Sequence, residues 1–220
     1  TMGTTYSVKL VFNNTKYEMN MINDSIDSIL INLNQQMSTW IENSEISLFN
    51  KSLSVTPYKI SDDFYYVLQQ GEIINQKTDG AFDYTIYPIA DLWGFGPNSD
   101  NDKTNPENSK IDKVLSYVGT DKIKLEYPYI KKLHPKIKLD LNAIAKGYAV
   151  DQVHEWLESR GFSNIYVEIG GEIKCSGENI RREIWRVGID MPIKSSVPGQ
   201  ELYTTLQLEN KALATSGSYR

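Results

Sequence analysis

Apolar and polar residues alternate over residues 6–12 and again over 16–21, on either side of Asn13-Asn14-Thr15. Period two around a turn tripeptide predicts a β-hairpin. The period then changes. Ile26, Ile29, Leu30, Leu33 and Met37 recur at helical spacing behind Asn23-Asp24-Ser25, a group rich in capping residues, so an amphipathic helix is expected to follow. Ser61-Asp62-Asp63 opens a second helix carrying Phe64, Val67 and Leu68, which ends before Asp79-Gly80 with Gly80 as C-cap. A third helical segment is expected over residues 87–92 and a short helix over 110–118, separated by a surface loop rich in Asn, Asp, Ser and Pro over 97–110.

Residues 122–127 and 137–141 have the alternation of short strands, and a long helix is expected over 142–160. Its apolar face carries Ala145, Tyr148, Ala149, Val153, Trp156 and Leu157, and Gly161 stands just past its end. From Asn164 onward period two returns, giving strands over 165–169, 172–176, 185–190 and 202–208. The turn pairs Gly170-Gly171 and Glu209-Asn210 suggest antiparallel pairing of the strands they join. Helices grouped before a run of strands argue for an α+β fold, antiparallel β-sheets packed with helices, rather than a doubly wound parallel sheet. At 220 residues, the chain is expected to form one domain over 1–220 and to bury a sizeable core without disulfides.

Charge narrows the range of partners. The net charge is -5, the sequence pI is near 5.2, and the lysines are scattered. A basic stripe that would track phosphates is missing, so nucleic acid is not expected as a partner. The single cysteine, Cys175, excludes an internal disulfide and a thiolate zinc site, and its alternating surroundings place it as a small apolar residue. His134 and His154 are too few for a histidine-rich metal cluster, and both are expected at the surface. The chain contains no run of 18 apolar residues and no basic-then-apolar leader at its start, although a targeting segment or membrane tether upstream of Thr1 is left open.

The segment richest in chemistry is Asp140-Leu-Asn-Ala-Ile-Ala-Lys-Gly147. It sets a carboxylate, a helix start that Asn142 can cap, and a lysine one turn inside the helix, which together make an anion-binding arrangement. Taken alone, Lys146 is more simply explained as one more solvated helix lysine. Gly80-Ala-Phe-Asp83 has a bland explanation too: a capping glycine, a core phenylalanine and an N-cap aspartate. Trp93-Gly-Phe-Gly96 offers backbone that can approach a ligand and flat faces for stacking. Met2-Gly-Thr-Thr-Tyr6, Ser38-Thr-Trp40, Glu168-Ile-Gly-Gly171 and Ala214-Thr-Ser-Gly217 each place glycine or small hydroxyl residues where an element ends.

Taken in order from end to end, and joined by Trp185-Arg-Val-Gly-Ile, these segments resemble the ApbE family of FAD:protein FMN transferases, formerly described as thiamine-biosynthesis lipoproteins. The resemblance implies a T-fold-related architecture. It also implies an enzyme that cleaves the pyrophosphate of FAD and attaches FMN by a phosphoester to a threonine or serine of an acceptor protein, releasing AMP with the help of Mg²⁺. Met2, Trp40, Ala81, Phe82, Asp83, Asp140, Lys146, Glu168, Gly170, Gly171 and Thr215 fall on the flavin-nucleotide site, with Lys146 and Asp140 as the catalytic pair.

The family's metal is implied at the backbone oxygen of Ala143. Its remaining ligands are expected beyond Arg220, in a segment with a histidine before an Asp-Pro turn and a later aspartate and threonine. An extracytoplasmic location, as a lipoprotein tethered to a bacterial membrane, is implied in the same way. Two departures concern the pocket: Tyr84 and Tyr87 stand where the family commonly has proline and glycine. A flavin-binding module without transferase activity is the alternative, and an extracytoplasmic scaffold with degenerate pockets is a third.

Overall fold

The computed structural model describes residues 2–12, 18–97, 105–193, 197 and 199–217. In chain order the elements are β1 (Tyr6–Leu10), α1 (Met19–Met37), α2 (Glu45–Lys51), β2 (Tyr58–Lys59), α3 (Asp62–Lys77) and α4 (Tyr87–Leu92). They continue with α5 (Asn108–Leu115), a 3-10 turn (Thr120–Lys122), β3 (Ile123–Glu126), β4 (Tyr129–Lys132) and α6 (Asn142–Ser159). The strands β5 (Ile165–Ile169), β6 (Glu172–Ser176), β7 (Trp185–Asp190), β8 (Leu202–Leu208) and β9 (Lys211–Leu213) complete the chain. Helices mixed with antiparallel sheets make this the α+β fold expected from the patterning. Among the described residues no helix is long and apolar enough to cross a membrane.

The chain divides into two compact units, one of Thr1–Leu30 with Lys146–Arg220 and one of Ile31–Ala145. In the first unit an antiparallel sheet runs in the order β1-β5-β6-β9. Ile165, Val167 and Ile169 of β5 are buried on one face of this sheet, and Ile173 and Cys175 of β6 are buried on the other, because the register sets Ile173 opposite Glu168 and Cys175 opposite Tyr166. A second pair, β7-β8, brings Trp185, Val187 and Leu208 to Ile173 and Cys175, and Val11, Tyr166 and Leu213 pack around them. Each such side chain contributes about 1.5–3 kcal/mol through burial. The indole N–H of Trp185 is satisfied by the carbonyl of Ser176 at 2.9 Å. Along α6, Ala149, Val153 and Leu157 are buried at four-residue spacing. The helix stops where Gly161 takes φ +88°, which lets the Phe162 amide reach back to the Leu157 carbonyl.

In the second unit, Leu33 and Met37 of α1, Ile46 and Phe49 of α2, and Phe64, Val67 and Leu68 of α3 are buried together with Ile130 of β4 in the β2-β4-β3 sheet. The α3 helix closes as expected near Asp79-Gly80. The amides of Asp79 and Gly80 return to the carbonyls of Gln76 and Asn75, and Asp79 itself takes φ +50°.

Several expectations need correction. Residues 19–21 belong to α1 rather than to a second hairpin strand, and residues 13–17, with the predicted turn, lie outside the described residues. β1 pairs instead with the distant β5, Tyr6 opposite Ile169, because period two fixes a strand's faces but not its partner. Asn23, Asp24 and Ser25 sit inside α1. There the hydroxyls of Ser25 and Ser28 donate to the carbonyls of Met21 and Asp24 one turn back, so Ser25 bonds within the helix instead of capping it.

Residues 137–141 form no strand. Ile137, Leu139 and Leu141 are fully buried, but the segment's hydrogen bonds come from scattered partners: Asn50 accepts from the Leu139 amide at 2.7 Å and donates to its carbonyl at 2.8 Å, and the Ile137 and Asp140 amides donate to the carbonyls of His134 and Tyr84. Glu209-Asn210 joins strands of different sheets, since β8 pairs with β7 and β9 with β6. His154 is buried, 2% exposed, because α6 turns it toward Ser176 of β6, whose hydroxyl lies 3.1 Å from Nε2. His134 is half-buried and stacks on Tyr117. Of the polar loop expected over 97–110, residues 98–104 lie outside the described residues and residues 108–110 belong to α5.

Candidate functional site

The candidate residues divide between the two units, and each half has its own geometry. In the first unit the organising feature is the turn Gly170-Gly171 between β5 and β6. A Cβ at Gly170 would fall 2.6 Å from Cγ2 of Thr4, and the residue holds φ +57°, so only glycine fits. The Gly170 amide donates to the Thr5 carbonyl at 3.2 Å, which fixes the segment following Met2 against the turn. The Gly171 amide donates to Oε1 of Glu168 at 3.0 Å, and the hydroxyl of Thr215 reaches the Gly171 carbonyl at 3.4 Å. Glu168, Gly170, Gly171, Thr215 and the Met2 segment are therefore one assembly. The sequence showed them only as separate glycine and hydroxyl clusters.

Lys146 belongs to the same unit. Its side chain is 31% exposed, and its ammonium lies 2.8 Å from Oε2 of Glu172, the first residue of β6, whose side chain is 16% exposed. A half-buried cation in the second turn of α6, beside a glycine turn, has the charge and position that a phosphate needs. Glu172 was missed by sequence reasoning. The signal available was its place directly after the Gly-Gly pair, on the strand face shared with Lys174.

In the second unit the assembly is built on residues 81–85. The amides of Ala81 and Phe82 donate to the carbonyl and hydroxyl of Thr78, and the Phe82 carbonyl accepts from the Asn75 side chain at 2.6 Å. Oδ1 of Asp83 accepts from both the amide and the hydroxyl of Thr85, at 2.7 and 2.6 Å. Asp83 is thus a turn residue and not the N-cap of α4, whose first turn follows Ile86. The hydroxyl of Thr85, fully buried, in turn accepts from the Gly119 amide at 2.7 Å.

Tyr84 is fully buried against Gly71, and its hydroxyl bonds Glu72. Burial, then Glu72 and Asp83, push its phenol far above the ordinary value. Tyr87 is raised too, by burial first and by the carboxylates of Asp91 and Asp140. Both rings are core residues, which explains how this chain accommodates them. Trp40, by contrast, is 65% exposed on a rigid base, since the Ser38 carbonyl accepts from the hydroxyls of Ser44 and Ser47. An exposed indole on fixed backbone is a surface on which a flat ring can stack.

Asp140 is tied to residues 81–85 through its amide, which donates to the Tyr84 carbonyl at 2.8 Å. Its Oδ1 accepts the Asn142 amide at 2.8 Å, so the carboxylate, not Asn142, satisfies the start of α6. Burial raises the Asp140 carboxyl above its ordinary value, against the lowering effect of the bonds to Asn142. Ala143 is exposed in the first turn of α6. Its carbonyl is a hard oxygen of the kind Mg²⁺ takes, but that ion also needs carboxylates. Among the described residues no group of three or more His, Cys, Asp or Glu could hold a metal ion. These residues do not by themselves fit Mg²⁺.

Comparison with known proteins shows the family. The model of the ApbE family matches residues 2–220. A FAD:protein FMN transferase of Haemophilus influenzae is 39% identical, with all of this chain aligned to 64% of that protein. One from Vibrio cholerae is 36% identical, with all of this chain aligned to 65% of it. Among solved structures, the flavin transferase ApbE from Vibrio cholerae matches with a TM-score of 0.91 at 35% identity, covering 100% of this chain and 70% of that one. The apo form of the flavinyl transferase ApbE from Pseudomonas stutzeri matches with a TM-score of 0.88 at 29% identity, covering 100% of this chain and 67% of that one. The chain thus spans somewhat under two thirds of the length of these two curated relatives, 64% and 65%.

Proposed function

The chain belongs to the ApbE family, and from that premise we propose that it is the greater part of an FAD:protein FMN transferase. The reaction is phosphoryl transfer. The hydroxyl oxygen of a serine or threonine on an acceptor protein attacks the phosphorus on the FMN side of the FAD pyrophosphate. A phosphoester forms, the bond from that phosphorus to the bridging oxygen breaks, AMP leaves with that oxygen, and the hydroxyl proton is released. Catalysis of this kind rests on positioning and charge neutralisation rather than covalent chemistry by the enzyme.

The observation that carries this reading is the half-buried ammonium of Lys146, in the second turn of α6 and held beside the Gly170-Gly171 turn of β5 and β6. Lys146 neutralises phosphate charge. The Gly170-Gly171 turn, with Glu168, Thr215 and the Met2 segment, offers backbone that a nucleotide can approach. For the other unit, the exposed ring of Trp40, the Ala81-Phe82-Asp83 segment and Asp140 are assigned to flavin-nucleotide binding by the resemblance alone. Mg²⁺ is assigned to the Ala143 carbonyl together with ligands outside the described residues, where it would offset charge on the transferred phosphoryl group. A serine or threonine as acceptor, an extracytoplasmic setting and a lipoprotein tether complete the proposal, and they rest on the resemblance.

The test is to incubate the full chain with FAD, Mg²⁺ and an acceptor flavoprotein, then follow fluorescent flavin that survives denaturation and the AMP released. Both products are expected, and Lys146→Ala is expected to slow their formation at least tenfold. FAD bound without AMP or covalent flavin would overturn the transferase reading in favour of a flavin-binding module.

A further inference from the structure

Helix α6 and strand β6 face each other through two ion pairs of opposite sense. The ammonium of Lys146 lies 2.8 Å from Glu172, and that of Lys174 lies 2.8 Å from Asp151. Glu172 and Lys174 are two residues apart, so they share one face of the strand. The two pairs differ in surroundings. Lys174 and Asp151 are 27% and 47% exposed, and Lys174 also lies 3.9 Å from Glu155 of α6. Glu172 at 16% is the more enclosed carboxylate and directly follows the Gly170-Gly171 turn.

The Glu172 side of the pair is the fixed one. Glu172 stands opposite Ile169 in the β5-β6 ladder, and the turn before it is tied down through Thr5, Glu168 and Thr215. Lys146 is the adaptable side, a compact charge on a flexible four-carbon stem. A carboxylate oxygen at 2.8 Å also occupies the place that a phosphate oxygen would take on an ammonium.

We propose that Glu172 is a positioning residue for Lys146: its carboxylate holds the ammonium beside the glycine turn before substrate arrives and yields it to the pyrophosphate of the dinucleotide. This rests on the reading of Lys146 as the phosphate-binding cation. Glu172 is then an internal competitor of the substrate, and removing its charge strengthens binding while loosening the aim of the lysine.

The experiment measures the Kd of FAD for the full chain by quenching of flavin fluorescence. Glu172→Gln is expected to lower Kd about three- to tenfold, the size of a partly exposed charge pair released to another partner. Lys146→Met is expected to raise Kd, and in that background Glu172→Gln is expected to change nothing. Asp151→Asn, which breaks the neighbouring pair, is expected to shift the melting temperature and leave Kd alone.

An unchanged or higher Kd for Glu172→Gln, with Lys146→Met still weakening binding, overturns the inference and leaves the role of Lys146 standing. Unchanged binding by Lys146→Met, or no FAD binding by the unaltered chain, overturns the reading of Lys146 and the inference with it. An equal effect of Asp151→Asn on Kd reduces both pairs to staples between helix and strand, and also overturns the inference. Should Glu172→Gln not fold, Glu172→Asp withdraws the charge by one methylene, with the same direction expected.

Discussion

The amide of Asp140 donates to the carbonyl of Tyr84 at 2.8 Å, which joins two motifs 56 positions apart in the chain. The Tyr84 ring is anchored below that bond, seated against Gly71 with its hydroxyl on Glu72. The position of Asp140 is therefore set partly by packing of Tyr84 against α3.

Gly71→Ala is expected to destabilise the protein although alanine is the better helix former. The propensity gain is about 1 kcal/mol. The added Cβ, however, would lie 2.8 Å from Cδ1 of a fully buried ring, and overpacking of that kind costs about 1–3 kcal/mol. Tyr84→Ala is expected to cost more, about 3–5 kcal/mol, through the cavity it leaves. Denaturant unfolding of both variants checks the order.

Asn50→Ala is expected to cost about 2–4 kcal/mol, because it strands the Leu139 amide and carbonyl together in a buried segment with no strand neighbour. Asn50→Asp keeps the acceptor and, only while protonated, an O–H donor, so it is expected to fall between Asn50→Ala and the unaltered protein at acidic pH and to worsen as the carboxyl ionises. Thermal melts across pH test both statements.

Asp140→Asn is expected to abolish most transfer activity while raising stability at neutral pH. Burial lifts the folded-state carboxyl above its ordinary value of 3.8, so the unfolded chain ionises first and the native protein loses stability as pH rises through that window. The amide carries no such penalty. Its melting temperature is expected to exceed that of the unaltered protein at pH 7, with the gap closing as pH falls toward 4.

His154 gives the opposite slope. Burial holds its imidazole below the ordinary 6.5 and outweighs the pull of Glu158. The folded state therefore keeps it neutral, and the stability it contributes is complete above about pH 6.5 and is lost as pH falls through the folded value. His154→Gln is expected to flatten the stability profile between pH 7 and 5, measured by denaturant midpoints.

The local elements were legible because their causes are local. The spans β5 to β8 and α4 coincide with the alternation and helical spacing read from the sequence, since side-chain period fixes which face is buried. Residues 137–141 show the limit. Their apolar alternation is genuine, but whether such backbone becomes a strand depends on what supplies its hydrogen bonds, and here those are the Asn50 side chain and the carbonyls of His134 and Tyr84 rather than a neighbouring strand. His154 was misplaced for a similar reason: Gln152 and Glu155 beside it in the sequence are polar, whereas in space its ring meets Ser176 of β6.

The sequence by itself determined the fold class, most helices and strands, and the set of motifs that mark the family, because residue type and spacing carry that information directly. Tertiary structure alone decided that β1 lies beside β5, that Asp140 hangs from Tyr84, and that Lys146 meets Glu172. Pairing between distant segments is chosen by the burial and hydrogen-bond satisfaction of the whole chain, and no local pattern encodes it.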